Sequence, residues 1–178
     1  FSVNNGGSLS EIGSTEVFTE SAEPSFDEIP REDLLGMFPE GEYTFIGTTV
    51  EGETIAGTSM LSHSLAAPVS LEIDVNVNSN SAVIEWTDES AVNDPEIIGY
   101  EVVSEIVAEN ESGEELVFVN TATFPASVMS FTVSPEFVSM ALDYQAADQL
   151  LEAKVEVIAI EESGNKTITE EAVFEAEE

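Results

Sequence analysis

The sequence predicts an all-β chain: a two-sheet β-sandwich preceded by an N-terminal arm, a short helix and a β-hairpin. Three observations point there. From residue 68 onward, short segments rich in β-branched and aromatic residues recur at regular spacing, with turn residues between them. Several segments alternate at period two: Ile84 and Trp86 share a face opposite Glu85, and Val155, Val157 and Ala159 share another opposite Lys154 and Glu156. Finally, 42% of the 178 residues are apolar, including ten Phe, three Tyr and one Trp, which is enough for a packed core despite the charge.

Taken in order, residues 1–29 read as an arm, rich at first in Ser, Gly and Asn (Asn4-Asn5-Gly6-Gly7-Ser8), with one short strand expected at Glu16-Val-Phe-Thr-Glu20. Residues 30–66 form a small module. Pro30 suits a first helical position, Glu32 and Asp33 sit where the helix dipole favours acids, and Leu34, Met37 and Phe38 share one face. Pro39-Glu40-Gly41 ends that helix after about two turns. Residues 42–50 and 54–64 are rich in β-formers around Glu51-Gly52-Glu53, which predicts a hairpin. Two strands alone are marginal in water, so this hairpin needs a further surface. Residues 67–178 form the sandwich, with seven strands expected near 69–77, 82–87, 97–108, 115–122, 128–133, 153–160 and 167–175.

Charge limits the partners. The chain holds 37 acidic residues against three basic ones, Arg31, Lys154 and Lys166, for a net charge of −34. Nucleic acid is excluded, because neutralising phosphates needs Lys and Arg. Anionic membrane surfaces are disfavoured on the same ground, and no apolar run approaches the roughly 18 residues of a membrane span. Self-repulsion of this size favours saline or calcium-rich surroundings. With no cysteine, disulfides and thiol chemistry are absent. The first residue is Phe, compatible with removal of a signal peptide or with a segment of a longer chain, and an extracellular or cell-surface location is expected.

Three segments resemble the fibronectin type III family of immunoglobulin-like sandwiches, in the right order and spacing. Ala82-Val-Ile-Glu-Trp86 resembles its second strand, where a core Trp closes the motif. Pro95-Glu-Ile-Ile-Gly-Tyr100-Glu-Val-Val resembles the third, and Val155-Glu-Val-Ile-Ala159-Ile-Glu-Glu-Ser-Gly164-Asn the sixth with its turn. The resemblance covers about residues 68–176 and implies a fibronectin III-like fold with Trp86 in the core. The family's tyrosine before the sixth strand is missing: Ala153 stands in its place after a helix-compatible insert at 135–151, with Tyr144 the residue available to substitute. Segments around Phe18, Met37-Phe-Pro-Glu-Gly-Glu-Tyr43 and Gly47-Thr-Thr-Val-Glu-Gly-Glu53 resemble uncharacterised bacterial secreted proteins in which a small module precedes such a domain.

No catalytic constellation is readable, and no catalytic or cofactor-binding residue is assigned. His63 is the single histidine; following Ile55 and Leu61 at period two, it reads as a semi-buried structural residue rather than a general base. Carboxylate pairs carry no weight among 37 acids. Calcium is the one cofactor the sequence admits. Asp74, Asn76, Asn78, Asn80 and Glu85 imitate EF-hand spacing, but Ser79 stands where glycine is needed and the flanking valines make a strand–turn–strand. Asp88, Glu89, Asn93, Asp94 and Glu96 supply hard-cation ligand types in one loop. Asn110-Glu-Ser112 and Asn165-Lys-Thr167 are glycosylation triplets expected in loops. The expectation is therefore a non-catalytic extracellular structural or interaction protein, self-assembling through strand addition of its arm or docking another surface protein. The alternative is a secreted module that binds carbohydrate or another small ligand.

Overall fold

The computed structural model describes residues 25–48 and 51–175. The strand expected at 16–20 lies outside the described residues. By its internal contacts the chain forms two units, one ending at His63 and the other starting at Ser64.

The first unit contains helix α1 (Arg31–Met37) and a two-stranded antiparallel hairpin, β1 (Gly41–Thr48) and β2 (Thr54–Leu61). Pro30 is the N-cap of α1, not its first helical residue; its extended ψ of 141° leaves Arg31 to begin the helix. Leu34, Met37 and Phe38 are half-buried, and no residue of α1 is fully buried. The hairpin register runs unbroken from Gly41↔Leu61 to Thr48↔Thr54. Strand β2 stops at Leu61 rather than continuing to residue 64, because its partner strand begins only at Gly41.

The second unit is mostly β and sandwich-like. Its strands are β3 (Ser70–Asn76), β4 (Ser81–Thr87), β5 (Ile97–Glu109), β6 (Glu115–Pro125), β7 (Ser130–Val133), β8 (Leu150–Glu161) and β9 (Lys166–Glu175). They form a three-stranded sheet in the order β3-β4-β7 and a four-stranded sheet in the order β6-β5-β8-β9, with every pairing antiparallel. The 135–151 insert supplies helix α2 (Pro135–Ala146) between β7 and β8. It starts there because Ser134 caps it, accepting a hydrogen bond from Phe137 N, while Pro135 and Glu136 fit the first turn.

Alternation puts one face of each sheet into a shared core. From the first sheet come Ile84, Trp86 and Val133, and from the second Tyr100, Val102, Val155, Val157 and Ala159. Each aliphatic side chain fully buried in this way contributes roughly 1.5–3 kcal/mol. A smaller cluster of Ile106, Ala141, Leu150 and Ala153 seats α2 against the second sheet, with Tyr144 packed on Phe118 at its margin (ring centroids 5.7 Å apart). Tyr144 thus lies on α2 rather than on a strand, and the buried methyl of Ala153 shares the cluster with Ala141. The lead-in segment before β3 is tied along β9: Asn165 Nδ2 donates to Ser64 O (2.7 Å), Thr167 Oγ1 to Ala66 O (2.9 Å), and Val69 N to Thr169 Oγ1 (3.1 Å).

One glycine is held by close approach. A Cβ on Gly99 would lie 2.8 Å from the carbonyl oxygen of Phe124 on the neighbouring strand, so β5 and β6 can meet there only without a side chain.

Candidate functional site

The most distinctive surface is the free edge of β6. After Glu114 and Glu115 the chain runs Leu-Val-Phe-Val-Asn-Thr-Ala-Thr-Phe-Pro over 116–125 without one charged residue, although 22% of the whole sequence is charged. β-branched and aromatic residues at alternate positions make this a strong strand. Leu116, Phe118, Ala122 and Phe124 turn inward, half-buried, while Val117 and Val119 are exposed at 53% and 55%. The pairing with β5 has no bulge from Gly99↔Pro125 to Glu109↔Glu115. On its other side β6 has no strand partner among the described residues, leaving outward N–H and C=O groups to pair.

The other open edges are guarded. Strand β3 spans seven residues and exposes Glu72 and Asp74, and β7 is four residues long. Strand β9 carries Lys166, Glu170 and Glu171, and its pairing with β8 is interrupted at Ala153/Lys154. Short length, charge and irregularity are the usual protections against strand addition, and β6 has none of them along 116–125.

Inward from this edge, the same sheet face becomes ionic. Register brings Val117 beside Val107, Val119 beside Glu105, and Glu105 beside Lys154. Lys154 Nζ lies 2.9 Å from Glu170, 3.3 Å from Glu156 and 3.7 Å from Glu105, and Lys166 Nζ lies 2.6 Å from Glu101. Both lysines of the chain therefore sit on one face of one sheet. The hydrogen bond to Glu170 pushes the Lys154 ammonium well above the usual lysine range. For Glu156, burial outweighs the nearby Lys154 and moves its carboxyl up. The two directions fit one picture: Lys154 is shared among three carboxylates, and Glu156 receives only part of its charge.

A second exposed apolar surface belongs to the hairpin of the first unit. Phe45, Ile46, Ile55 and Met60 are 53%, 74%, 54% and 62% exposed. Phe45 and Ile55 share one face of the ribbon, and Ile46 and Met60 share the other.

Several of the residues singled out as possible ligands are occupied locally. His63 lies two residues past the end of β2, not on the strand; its Nε2 is 2.7 Å from Phe38 O, and its backbone N–H donates to Glu40 (2.8 Å). It clasps the chain leaving the hairpin to the chain entering it. Asp74 and Glu85 lie on paired strands, and Asn76 Oδ1 accepts from Asn78 N (3.1 Å) inside a tight turn. Asp88 accepts from Ser90 N (2.8 Å) and Asp94 from Ala91 N (2.7 Å), so these carboxylates shape their own loop. Among the described residues no three acidic or histidine side chains converge as a metal site. Of the glycosylation triplets, Asn110 holds the β5–β6 turn through Ser112 N, Glu114 N and Glu114 Oε2, and Asn165 is bonded to Ser64.

The β6 edge escaped sequence reasoning because strand order within a sheet is set by tertiary pairing. Its only linear signal is the uncharged run itself. No protein family matches the chain, and no curated protein does either.

Proposed function

We propose that this chain is a non-catalytic extracellular structural or interaction protein, built on a fibronectin type III-like sandwich, that assembles by strand addition. The strand order supports the fold reading: first, second and fifth strands in one sheet, and fourth, third, sixth and seventh in the other, as expected of that family. The motif residues Trp86, Gly99 and Tyr100 all serve the packing the resemblance implies.

The observation that carries the assembly reading is the long, unbulged and uncharged edge of β6. Two molecules of net charge −34 repel, so addition is least opposed at a receiving edge that itself carries no charge. The occupant is the N-terminal segment of a second copy. Twenty-four residues precede Ser25, an extended reach of roughly 80 Å, and Glu16-Val-Phe-Thr-Glu20 within them is the segment expected to add as a strand. Main-chain hydrogen bonds would supply the affinity, and Val117 and Val119 a shallow apolar bed. Head-to-tail contacts of this kind propagate into open filaments.

Light scattering on the full chain in saline tests this reading. The expected result is concentration-dependent assembly that is abolished both by deleting residues 1–22 and by the double substitution Val117→Lys, Val119→Lys, with β-type circular dichroism unchanged. A full-length chain that stays monomeric at high concentration overturns it.

A further inference from the structure

A second surface of the sandwich unit, lined from α2 and the β3–β4 turn, has the chemistry of a ligand site. The exposed stripe of α2 and the β3–β4 turn enclose an open depression of about 730 Å³, within the range of small-molecule sites, about 300–1,000 Å³. Four of its lining residues are half-buried: Met140 and Tyr144 give apolar surface, and Asn80 and Gln149 bring side-chain amides. Asn80 is placed there by a left-handed turn conformation (φ 47°) that asparagine tolerates better than most residues. Two exposed carboxylates, Glu136 and Asp143, form the rim. Seven residues apart on one helix, they are separated by about 10 Å along its axis.

This lining decides the ligand class. No Lys or Arg borders the depression, and its two carboxylates stand in a strongly acidic protein, so phosphate, sulfate or carboxylate ligands are repelled. A divalent cation would need six or more oxygens around one point. The depression offers only two carboxylates and two amide oxygens, and among the described residues no three acidic or histidine side chains converge as a metal site. What uses every group is a neutral ring with hydroxyls on its edge and C–H groups on its faces. Amides and carboxylates take the hydroxyls, and Tyr144 with Met140 takes the apolar face. We propose that this depression binds a neutral oligosaccharide. Because the site is open rather than enclosed, it accepts a unit within a polysaccharide chain.

The test is nuclear magnetic resonance titration of the full chain with cellohexaose, maltohexaose, chitohexaose and mannohexaose, with hexagalacturonate, spermidine and calcium chloride as contrasts. The expected result is that at least one neutral hexasaccharide shifts the side-chain amide signals of Asn80 and Gln149. Gln149→Ala and Asp143→Ala should each weaken that binding about tenfold, the effect of one lost polar contact, with melting temperature unchanged. Absence of binding by all four neutral sugars overturns the proposal. So does binding that neither variant weakens, or the same amide shifts produced by spermidine or calcium alone. Assembly is scored separately by light scattering, and Gln149→Ala and Asp143→Ala leave it intact.

Discussion

The indole of Trp86 on β4 meets the ring of Tyr100 on β5 edge-on, with centroids 5.5 Å apart and an interplanar angle of 64°. The contact joins the two sheets at the centre of the core, and Phe124 lies against the same indole at 6.0 Å. Trp86→Ala should therefore destabilise the sandwich by about 3–5 kcal/mol, measured by denaturant unfolding. An unchanged midpoint would contradict the core assignment.

Tyr100 behaves differently at its tip. Among the described residues its buried hydroxyl has no hydrogen-bond partner. Burial, with Asp88 nearby, moves the phenol above its usual 10.0. Tyr100→Phe should thus change stability at pH 7 by no more than about 1 kcal/mol, because no bond is lost. The sign of the pH effect follows from linkage. The unfolded chain ionises this phenol from pH 10 upward while the folded chain resists, so stability falls as pH rises above that value. The Phe variant should resist alkaline unfolding better than the parent.

Gly99 permits no side chain. A methyl group there meets the backbone carbonyl of Phe124 at 2.8 Å, and backbone in a paired strand cannot swing aside. Gly99→Ala should cost about 1–3 kcal/mol, the scale of overpacking, and broaden the amide signals of residues 122–125. A variant as stable as the parent would show that β5 and β6 can separate without penalty.

Glu161 is a buried carboxylate, 1% exposed, that closes the β8–β9 turn. It accepts Ser163 N and Asn165 N, each at 2.9 Å, and the Ser163 hydroxyl. Burial alone would raise its pKa, but these donors outweigh burial and hold it below the ordinary 4.5. Its contribution is therefore present above pH 4.5 and is lost as pH falls toward its lower folded value. Glu161→Ala should lose about 2 kcal/mol at pH 7 and flatten the acid limb of the stability curve. An acid limb identical to the parent's would assign that titration elsewhere.

With 37 acids and three basic residues, stability should rise with ionic strength as screening relieves repulsion. Melting temperature is expected to climb with sodium chloride. A larger rise with calcium chloride at matched ionic strength would reveal specific cation binding. A flat response to both salts contradicts the argument.

Strand positions were largely legible because burial on one face imposes a period of two. Ile84 and Trp86, or Val155 and Val157, announce themselves without any knowledge of their partners. The β5 motif was legible through its resemblance to the fibronectin type III third strand, although Gly99 and Tyr100 meet their constraints, Phe124 and Trp86, only across strands. What stayed hidden depends on which strands become neighbours. Lys154 is 16 residues from Glu170 and 49 from Glu105, and only the order β5-β8-β9 unites them. The open edge of β6 and the meeting of Asn80 with α2 are hidden in the same way. His63 was misplaced on a strand because alternation continues past the point where β1 stops offering a partner.

The scarcity and placement of basic residues also bear on resistance to proteolysis. A trypsin-like enzyme finds three sites in the whole chain, at Arg31, Lys154 and Lys166. Lys154 lies inside β8, paired on both sides and clamped by glutamates, and Lys166 opens β9 in ion-pair contact with Glu101. To be cut, either strand would first have to leave its sheet. Arg31, exposed at the start of α1, lies outside any strand, and cleavage there would detach residues 1–31 while sparing the sandwich. For the assembly proposed above, that bond would be the point at which an array is dismantled.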